Sequence, residues 1–173
     1  MRDFLPIVKF PHPALRARAR PVTEFDSALR TLVADLLAAM YYAPGIGLAA
    51  PQVGVLQRVA VVDLGLESGM AEPLHLINPE ITWRSDELAN TEEGCLSLPE
   101  VSEEIKRPAA IKFRHLDLQG QSHSQSAEGL LATCIQHEID HLNGVLFIDY
   151  LTPLKRNMIE RKLRKQKRLA EVL

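Results

Sequence analysis

The run His137-Glu138-Ile139-Asp140-His141 constrains this chain more than any other segment, because four ionisable side chains crowd into five positions between the apolar pair Leu130-Leu131 and Leu142. Burying that many ionisable groups beside a core is costly unless they are paired or bound to a metal ion. On a helix, residues four apart differ by about 40° in direction and roughly 6 Å in height, so His137 and His141 can reach one ion. Glu138 then points to the side of that ion, placed to handle a proton on a water rather than to bind the metal. An amphipathic helix with two half-buried histidines is the plainer alternative, and it leaves the crowding of acids and imidazoles without a cause.

The remainder of the chain frames that helix. With 173 residues and 46% hydrophobic content, residues 1–173 make one catalytic domain with a real core. A formal net charge of -2 argues against wholesale nucleic-acid binding, and no DNA partner is expected. Cys95 and Cys134 sit among potential metal ligands rather than in a spaced framework, which favours a reducing compartment over a disulfide. Asp3 and prolines 6, 11 and 13 interrupt the N-terminus, so no apolar signal core forms there. No uninterrupted apolar run approaches the ~18 residues that a membrane span needs. The expectation is a soluble protein of the cytoplasm, or of an organelle's interior, with no membrane partner.

Prolines 6, 11, 13 and 21 hold residues 1–25 extended or turning. Asp26 or Ser27 caps a helix over Ala28 to Met40, whose leucines, Val33 and Met40 recur at helical spacing before Pro44 and Gly45 end it. Val59 to Asp63 and Leu74 to Pro79 read as strands joined by a loop around Gly65 and Gly69. Ile81 to Trp83, Ala110 to Leu116 and Val145 to Ile148 are further strands, with a turn at Asp117 to Gln121. The metal-motif helix runs from Ser126 or Ala127 to Leu142 and closes on Asn143-Gly144. A last helix follows Pro153 to about Ala170. Scattered strands and three helices without regular strand-helix alternation indicate an α+β fold: short strands in small antiparallel or mixed sheets around a central metal-binding helix.

Two histidines do not complete a coordination sphere, and no histidine follows His141. Cys134 lies three residues before His137 on the same helical face, but three ligands in a row on one helix leave a tetrahedral site lopsided. Cys95 lies in Glu92-Glu93-Gly94-Cys95-Leu96-Ser97-Leu98-Pro99, where Gly94 and Pro99 shape a chain-reversing segment that can bring a ligand in from another direction. Cys95 is therefore the preferred third ligand, and Cys134 a small buried apolar residue. A third constellation, Gly45-Ile46-Gly47-Leu48-Ala49-Ala50-Pro51-Gln52, lets the backbone approach a ligand closely and leaves Gln52 as its one polar side chain able to donate a hydrogen bond.

Gly45 to Gln52, Glu93 to Ser97 and Gln136 to His141 together resemble the three signature motifs of the peptide deformylases, in that family's order and at similar separations. The likeness extends over essentially the whole chain, including Pro11-His12-Pro13-Ala14-Leu15-Arg16 and the helix after Tyr150 to Leu154. It implies a metallo-amidohydrolase that removes the formyl group from the N-terminal formylmethionine of newly made polypeptides and releases formate. By resemblance, Cys95, His137 and His141 bind one divalent metal ion, Fe2+ in the native enzyme and often Zn2+, Ni2+ or Co2+ in preparations. Glu138 is the acid-base that serves a metal-activated hydroxide attacking the formyl carbon. Gln52 and the Leu96 N–H stabilise the oxyanion, and Gly45, Ile46 and Gly47 border the substrate cleft. The chain departs from many relatives at Val101-Ser102-Glu103-Glu104, which bears on the residues after methionine.

The C-terminal stretch 155–168 places eight cations, Lys155, Arg156, Arg161, Lys162, Arg164, Lys165, Lys167 and Arg168, against Glu160 alone. Met158, Ile159, Leu163 and Leu169 are its expected anchors to the domain. The stretch reads as a solvated helix whose cations suit its C-terminal end, while the resemblance implies contact with the ribosome where formylated chains emerge. Two other functions fit the motif helix: a zinc metallopeptidase that cleaves ordinary peptide bonds, and a ribosome- or RNA-associated adaptor with a structural metal.

Overall fold

Residues 5–65 and 73–170 are described here, from a computed structural model. Their elements are α1 (Ser27–Tyr42), β1 (Gly47–Ala49), β2 (Val59–Val62), β3 (Leu74–Arg84), β4 (Leu88–Cys95), β5 (Leu98–Pro108), β6 (Ala110–Leu116), β7 (Ser122–Glu128), α2 (Gly129–Leu142) and α3 (Pro153–Ala170), with short 3-10 turns at Pro13–Arg16, Ala50–Val53 and Phe147–Tyr150. The architecture is α+β. A five-stranded antiparallel sheet in the order β1-β2-β3-β6-β7 is accompanied by a separate β4-β5 hairpin. Gly69 and residues 1–4, on which parts of the sequence reading fall, lie outside the described residues.

Helix α2 occupies the centre. Nine of its fourteen residues are buried, so its apolar face packs on the sheet while its polar face is also covered. Ala132, Ile135, Ile139 and Leu142 join Ala60, Val62, Leu76 and Phe113 in one core. On the other face of the sheet, Val59, Val61 and Ile77 pack against Val33, Leu36 and Met40 of α1. β2 therefore has helices on both faces, which is why its four residues form an unbroken apolar run. Asp26 caps α1 by accepting a bond from the Leu29 N–H at 3.0 Å, as expected for a residue of that type at a helix start.

Four elements differ from their expected form. Leu74–Pro79 and Ile81–Trp83 belong to one strand, β3, whose register shifts beyond Ile77 and again beyond Ile81 absorb Pro79. Asn78 sits at φ +49 there and ties the bulge to Val22, accepting from its N–H at 2.8 Å and donating to its carbonyl at 2.9 Å. The motif helix starts at Gly129, not at Ser126 or Ala127, because Ser122–Glu128 pairs with β6 in full register. Its polar sequence suits an edge strand with only Ala127 buried. Val145 to Ile148 is no strand: Leu146, Phe147 and Ile148 are buried around a 3-10 turn whose Asp149 accepts from the Leu146 N–H at 2.9 Å. The β4-β5 hairpin escaped the sequence reading, because its buried Leu98, Val101 and Ile105 are spread among charged residues.

Helix α3 docks through Leu163, which is 3% exposed, and Ile159, which packs beside Phe10, Leu146 and Ile148. Met158 and Leu169, also expected as anchors, are 63% and 58% exposed. The helix presents a neighbouring face to the domain, where Arg164 lies over the Phe10 ring and Gln166 donates to Glu100.

The close of α2 rests on Gly144, at φ +75, where an added Cβ would lie 2.5 Å from the Arg16 carbonyl oxygen. Gly144→Ala combines a strained left-handed backbone with a backbone clash and should cost about 2–4 kcal/mol. Denaturant unfolding checks it; a midpoint equal to wild type would contradict this packing.

Candidate metal centre

Two pieces of backbone converge on α2. β4 ends at Cys95, and the pairing of Cys95 with Leu98 closes the hairpin through Leu96-Ser97, which aims the thiol back toward the helix. β1 leads into the 3-10 turn Ala50–Val53, which carries Gln52 to the same place. Gln52 is 2% exposed. Its Oε1 accepts from the Ala49 N–H at 2.9 Å, so the amide cannot turn freely. The Nε2 is thereby presented to Ser97 Oγ at 3.2 Å and Cys95 Sγ at 3.5 Å.

The donor atoms of Cys95, His137 and His141 all lie within 4.8 Å of one another. Sγ of Cys95 is 3.3 Å from His141 Nε2, and the two Nε2 atoms are 3.1 Å apart. Lone pairs facing one another so closely repel unless a proton or cation lies between them, and a soft thiolate with two imidazoles is a donor set that suits iron, zinc, nickel or cobalt. His137 Nδ1 lies 2.9 Å from Glu93 Oε2. An ionised carboxylate only accepts, so Nδ1 carries the proton of this bond and Nε2 is the nitrogen left to face an ion. The residues fit a divalent metal.

Glu138 lies beside this cluster, 3% exposed, with Oε2 lacking a hydrogen-bond partner among the described residues. Gly47 explains its room: a Cβ there would run into the Glu138 carboxylate and come within 2.8 Å of Cys134 Sγ. Gly45, Ile46, Gly47 and Leu96 line a cleft of about 600 Å³ that reaches His137 and Glu138. Each residue proposed from the sequence thus sits at one place, with His141 beneath the cleft floor at 1% exposure. Cys134 is buried with its thiol directed at the Ile46 carbonyl, 3.7 Å away, rather than in the donor cluster.

The comparisons with known proteins point the same way. The profile of the polypeptide deformylase family matches residues 4–157. The chain is 52% identical over 164 residues to a peptide deformylase of Phenylobacterium zucineum, covering 95% of this chain and 97% of the relative. The chain belongs to the peptide deformylase family. A peptide deformylase of Alkalilimnicola ehrlichii is 53% identical over 168 residues, 97% of this chain and 93% of that relative. Among solved structures, a peptide deformylase from Legionella pneumophila aligns with a TM-score of 0.89 and 44% identity over 98% of both chains. One from Ehrlichia chaffeensis in complex with actinonin aligns with a TM-score of 0.90 and 39% identity, over 95% of this chain and 98% of that one.

The electrostatics of this deformylase site follow from burial. Burial pushes the Glu138 carboxyl up to about 7, against the pull of His137. Burial and the positive charges of His137 and Arg107 hold His141 well below its ordinary range. His137 is held well above it: burial opposes the imidazolium, but the hydrogen bonds to Cys95 and Glu93 outweigh that. Glu93, penalised by its own burial, is nevertheless kept ionised by His137 and Arg107. Glu93 and Arg107 are residues the sequence reading missed. Glu93 was visible as the residue two before Cys95, on the same side of its strand.

In the metal-free protein the contacts to Cys95 and Glu93 favour a second proton on His137, and an incoming ion must displace it. The apparent metal affinity should rise with pH, about tenfold per pH unit for each proton released. Chelator competition between about pH 6 and 9 measures this. Affinity that stays flat across neutral pH would contradict the proton's place on His137.

Proposed function

We propose that the chain as a whole, residues 1–173, forms one catalytic unit that removes the formyl group from N-terminal formylmethionine of nascent polypeptides, with Cys95, His137 and His141 as ligands to one divalent metal ion. The observation that carries this is the convergence of those donors with Glu138 and Gln52 at the end of one cleft. Ferrous iron is the proposed native ion, and zinc, nickel and cobalt suit the same donors. When bound, such an ion supplies a Lewis acid that makes water nucleophilic near neutral pH.

The chain's own groups perform the remaining steps. Glu138, in a dry pocket that favours proton uptake, takes a proton from the attacking water and delivers it to the departing nitrogen. The formyl C–N bond breaks, the amine leaves neutral with the proton from Glu138, and the formyl product keeps the water's oxygen and second proton, which it loses to solvent as formate. Gln52 Nε2, fixed by Ala49, donates to the developing oxyanion together with the Leu96 N–H, an arrangement worth about 3 kcal/mol for a comparable amide donor. Gly45, Ile46 and Gly47 border the substrate, and the close wall at Gly47 admits a formyl carbon, which carries only hydrogen, more readily than an acetyl or peptidyl carbon. The cleft wall formed with Ile46, Leu130 and Cys134 offers an apolar slot to an unbranched methionine side chain. That cleft geometry favours deformylation over general peptide cleavage.

Formate release from a formyl-Met tripeptide tests the reading. Glu138→Gln should retain the metal and lower kcat by about 10²- to 10⁴-fold. Absence of formate release by the loaded wild type, or undiminished turnover by Glu138→Gln, would overturn it.

The exposed cations of α3 are read as a contact to ribosomal RNA. Lys155 is committed to Glu103 and Arg164 to Glu160, whereas Arg161, Lys162, Lys165 and Arg168 lie on exposed positions beside Leu154 and Met158. Changing those four to alanine should weaken ribosome binding and flatten its salt dependence, while turnover of a short formyl-peptide stays within about twofold. Equal ribosome affinity in the variant would remove this role. No helix among the described residues is long and apolar enough to cross a membrane.

A further inference from the structure

One guanidinium lies behind the metal cluster and touches both elements that carry its ligands. Arg107, on β5 and 3% exposed, donates from Nε to Glu93 Oε1 at 2.5 Å and from Nη2 to Glu93 Oε2 at 3.0 Å. Glu93 is on β4, two residues before Cys95, and its Oε2 also receives the His137 Nδ1 proton. From its third nitrogen, Nη1, Arg107 donates to Asp140 Oδ2 at 2.7 Å, and Asp140 lies on α2 between the two histidine ligands. Tyr150 closes the chain: its hydroxyl donates to the same Asp140 oxygen at 2.9 Å, and its ring lies under the guanidinium, 4.7 Å from centroid to Cζ.

We propose that Arg107, held by Asp140 and Tyr150, is a positioning residue for the metal centre: it braces the Cys95-bearing strand against the histidine-bearing helix and keeps the Glu93 carboxylate on His137 Nδ1. This rests on the reading that Cys95, His137 and His141 hold the ion. Three features argue for it beyond fold stability. First, both oxygens of Glu93 are engaged in a planar two-point contact that only an arginine provides, so the carboxylate cannot rotate away from the imidazole. Second, the rotation of the His137 ring, and hence the aim of Nε2, is set by that carboxylate. Third, the charges balance. Arg107 cancels one of the two carboxylates, and the remaining single negative charge offsets the net positive charge of a divalent ion bound to one thiolate. Contained in none of the three sequence motifs, Arg107 connects two of them through space.

Cobalt is the probe, since its visible spectrum reports thiolate and imidazole geometry. Cobalt-loaded wild type is compared with Arg107→Lys, Asp140→Asn and Tyr150→Phe, following cobalt release to excess chelator, the spectrum of the bound ion, and the thermal unfolding of each metal-free form. Arg107→Lys keeps the charge but loses the two-point contact, and should release cobalt roughly 10- to 100-fold faster with an altered spectrum. Asp140→Asn should do the same to a lesser degree, and Tyr150→Phe least. If Arg107 only stabilises the fold, metal-free unfolding temperatures will fall while cobalt release and spectrum match wild type in every folded variant; that result overturns the proposal. Should Arg107→Lys not fold, Asp140→Asn decides by the same two readouts. A wild type that takes up no cobalt would instead overturn the ligand assignment, and this inference with it.

Discussion

The structure depends on making a helix full of ionisable groups tolerable at the centre of a small protein. Glu138, His141 and Gln136 of α2 are each under 5% exposed, and His137 and Asp140 are only a little more open. Charges in such a place need partners at hydrogen-bond distance. Those partners arrive on the β4-β5 hairpin, which is not part of the main sheet. Glu93 and Arg107 from the hairpin satisfy α2, and Cys95 at the hairpin's tip brings its thiol to the two imidazoles. The hairpin's position is thus set by polar contacts with one helix as much as by the apolar packing of Leu98, Val101 and Ile105.

Chemistry is possible there because the same burial separates the roles of neighbouring groups. Glu93 is kept ionised by two cationic partners, while Glu138, with no partner for Oε2, is left willing to carry a proton near neutral pH. Two glutamates close together on the same centre are therefore suited to different work: one holds an imidazole, and the other has the proton affinity that the proposed proton transfer requires. Gly47 permits this by letting backbone pass where a side chain would displace Glu138. Gln52 is similarly committed at one end, its carbonyl tied to Ala49, so that only its donor faces the cleft.

Much of this was legible before any coordinates. Helical spacing gave α1, the break at Pro153 marked the start of α3, the unbroken run at Val59–Val62 gave the doubly covered strand, and the donor chemistry of Cys95, His137 and His141 led to the atoms that the fold brings together. The failures have specific causes. Edge strand β7 has a polar sequence with one buried residue, so it offers no alternation to detect. Val145 to Ile148 is apolar because it is buried, and burial alone does not make a strand. Of the four apolar anchors expected on α3, Ile159 and Leu163 dock, whereas Met158 and Leu169 are apolar yet exposed, so apolar character alone did not separate the buried face from its neighbour. Arg107 had no local signal at all: its partners lie 14 and 33 residues away, and only the folded chain assembles them.

The central claim is that one divalent ion is held jointly by the hairpin and the helix. Anomalous diffraction from metal-loaded crystals tests it most directly. The account predicts a single anomalous peak about 2.3 Å from Cys95 Sγ and about 2.0–2.1 Å from the Nε2 atoms of His137 and His141. A peak that lies elsewhere, or one bound by the two histidines with Cys95 Sγ out of bonding range, would contradict it.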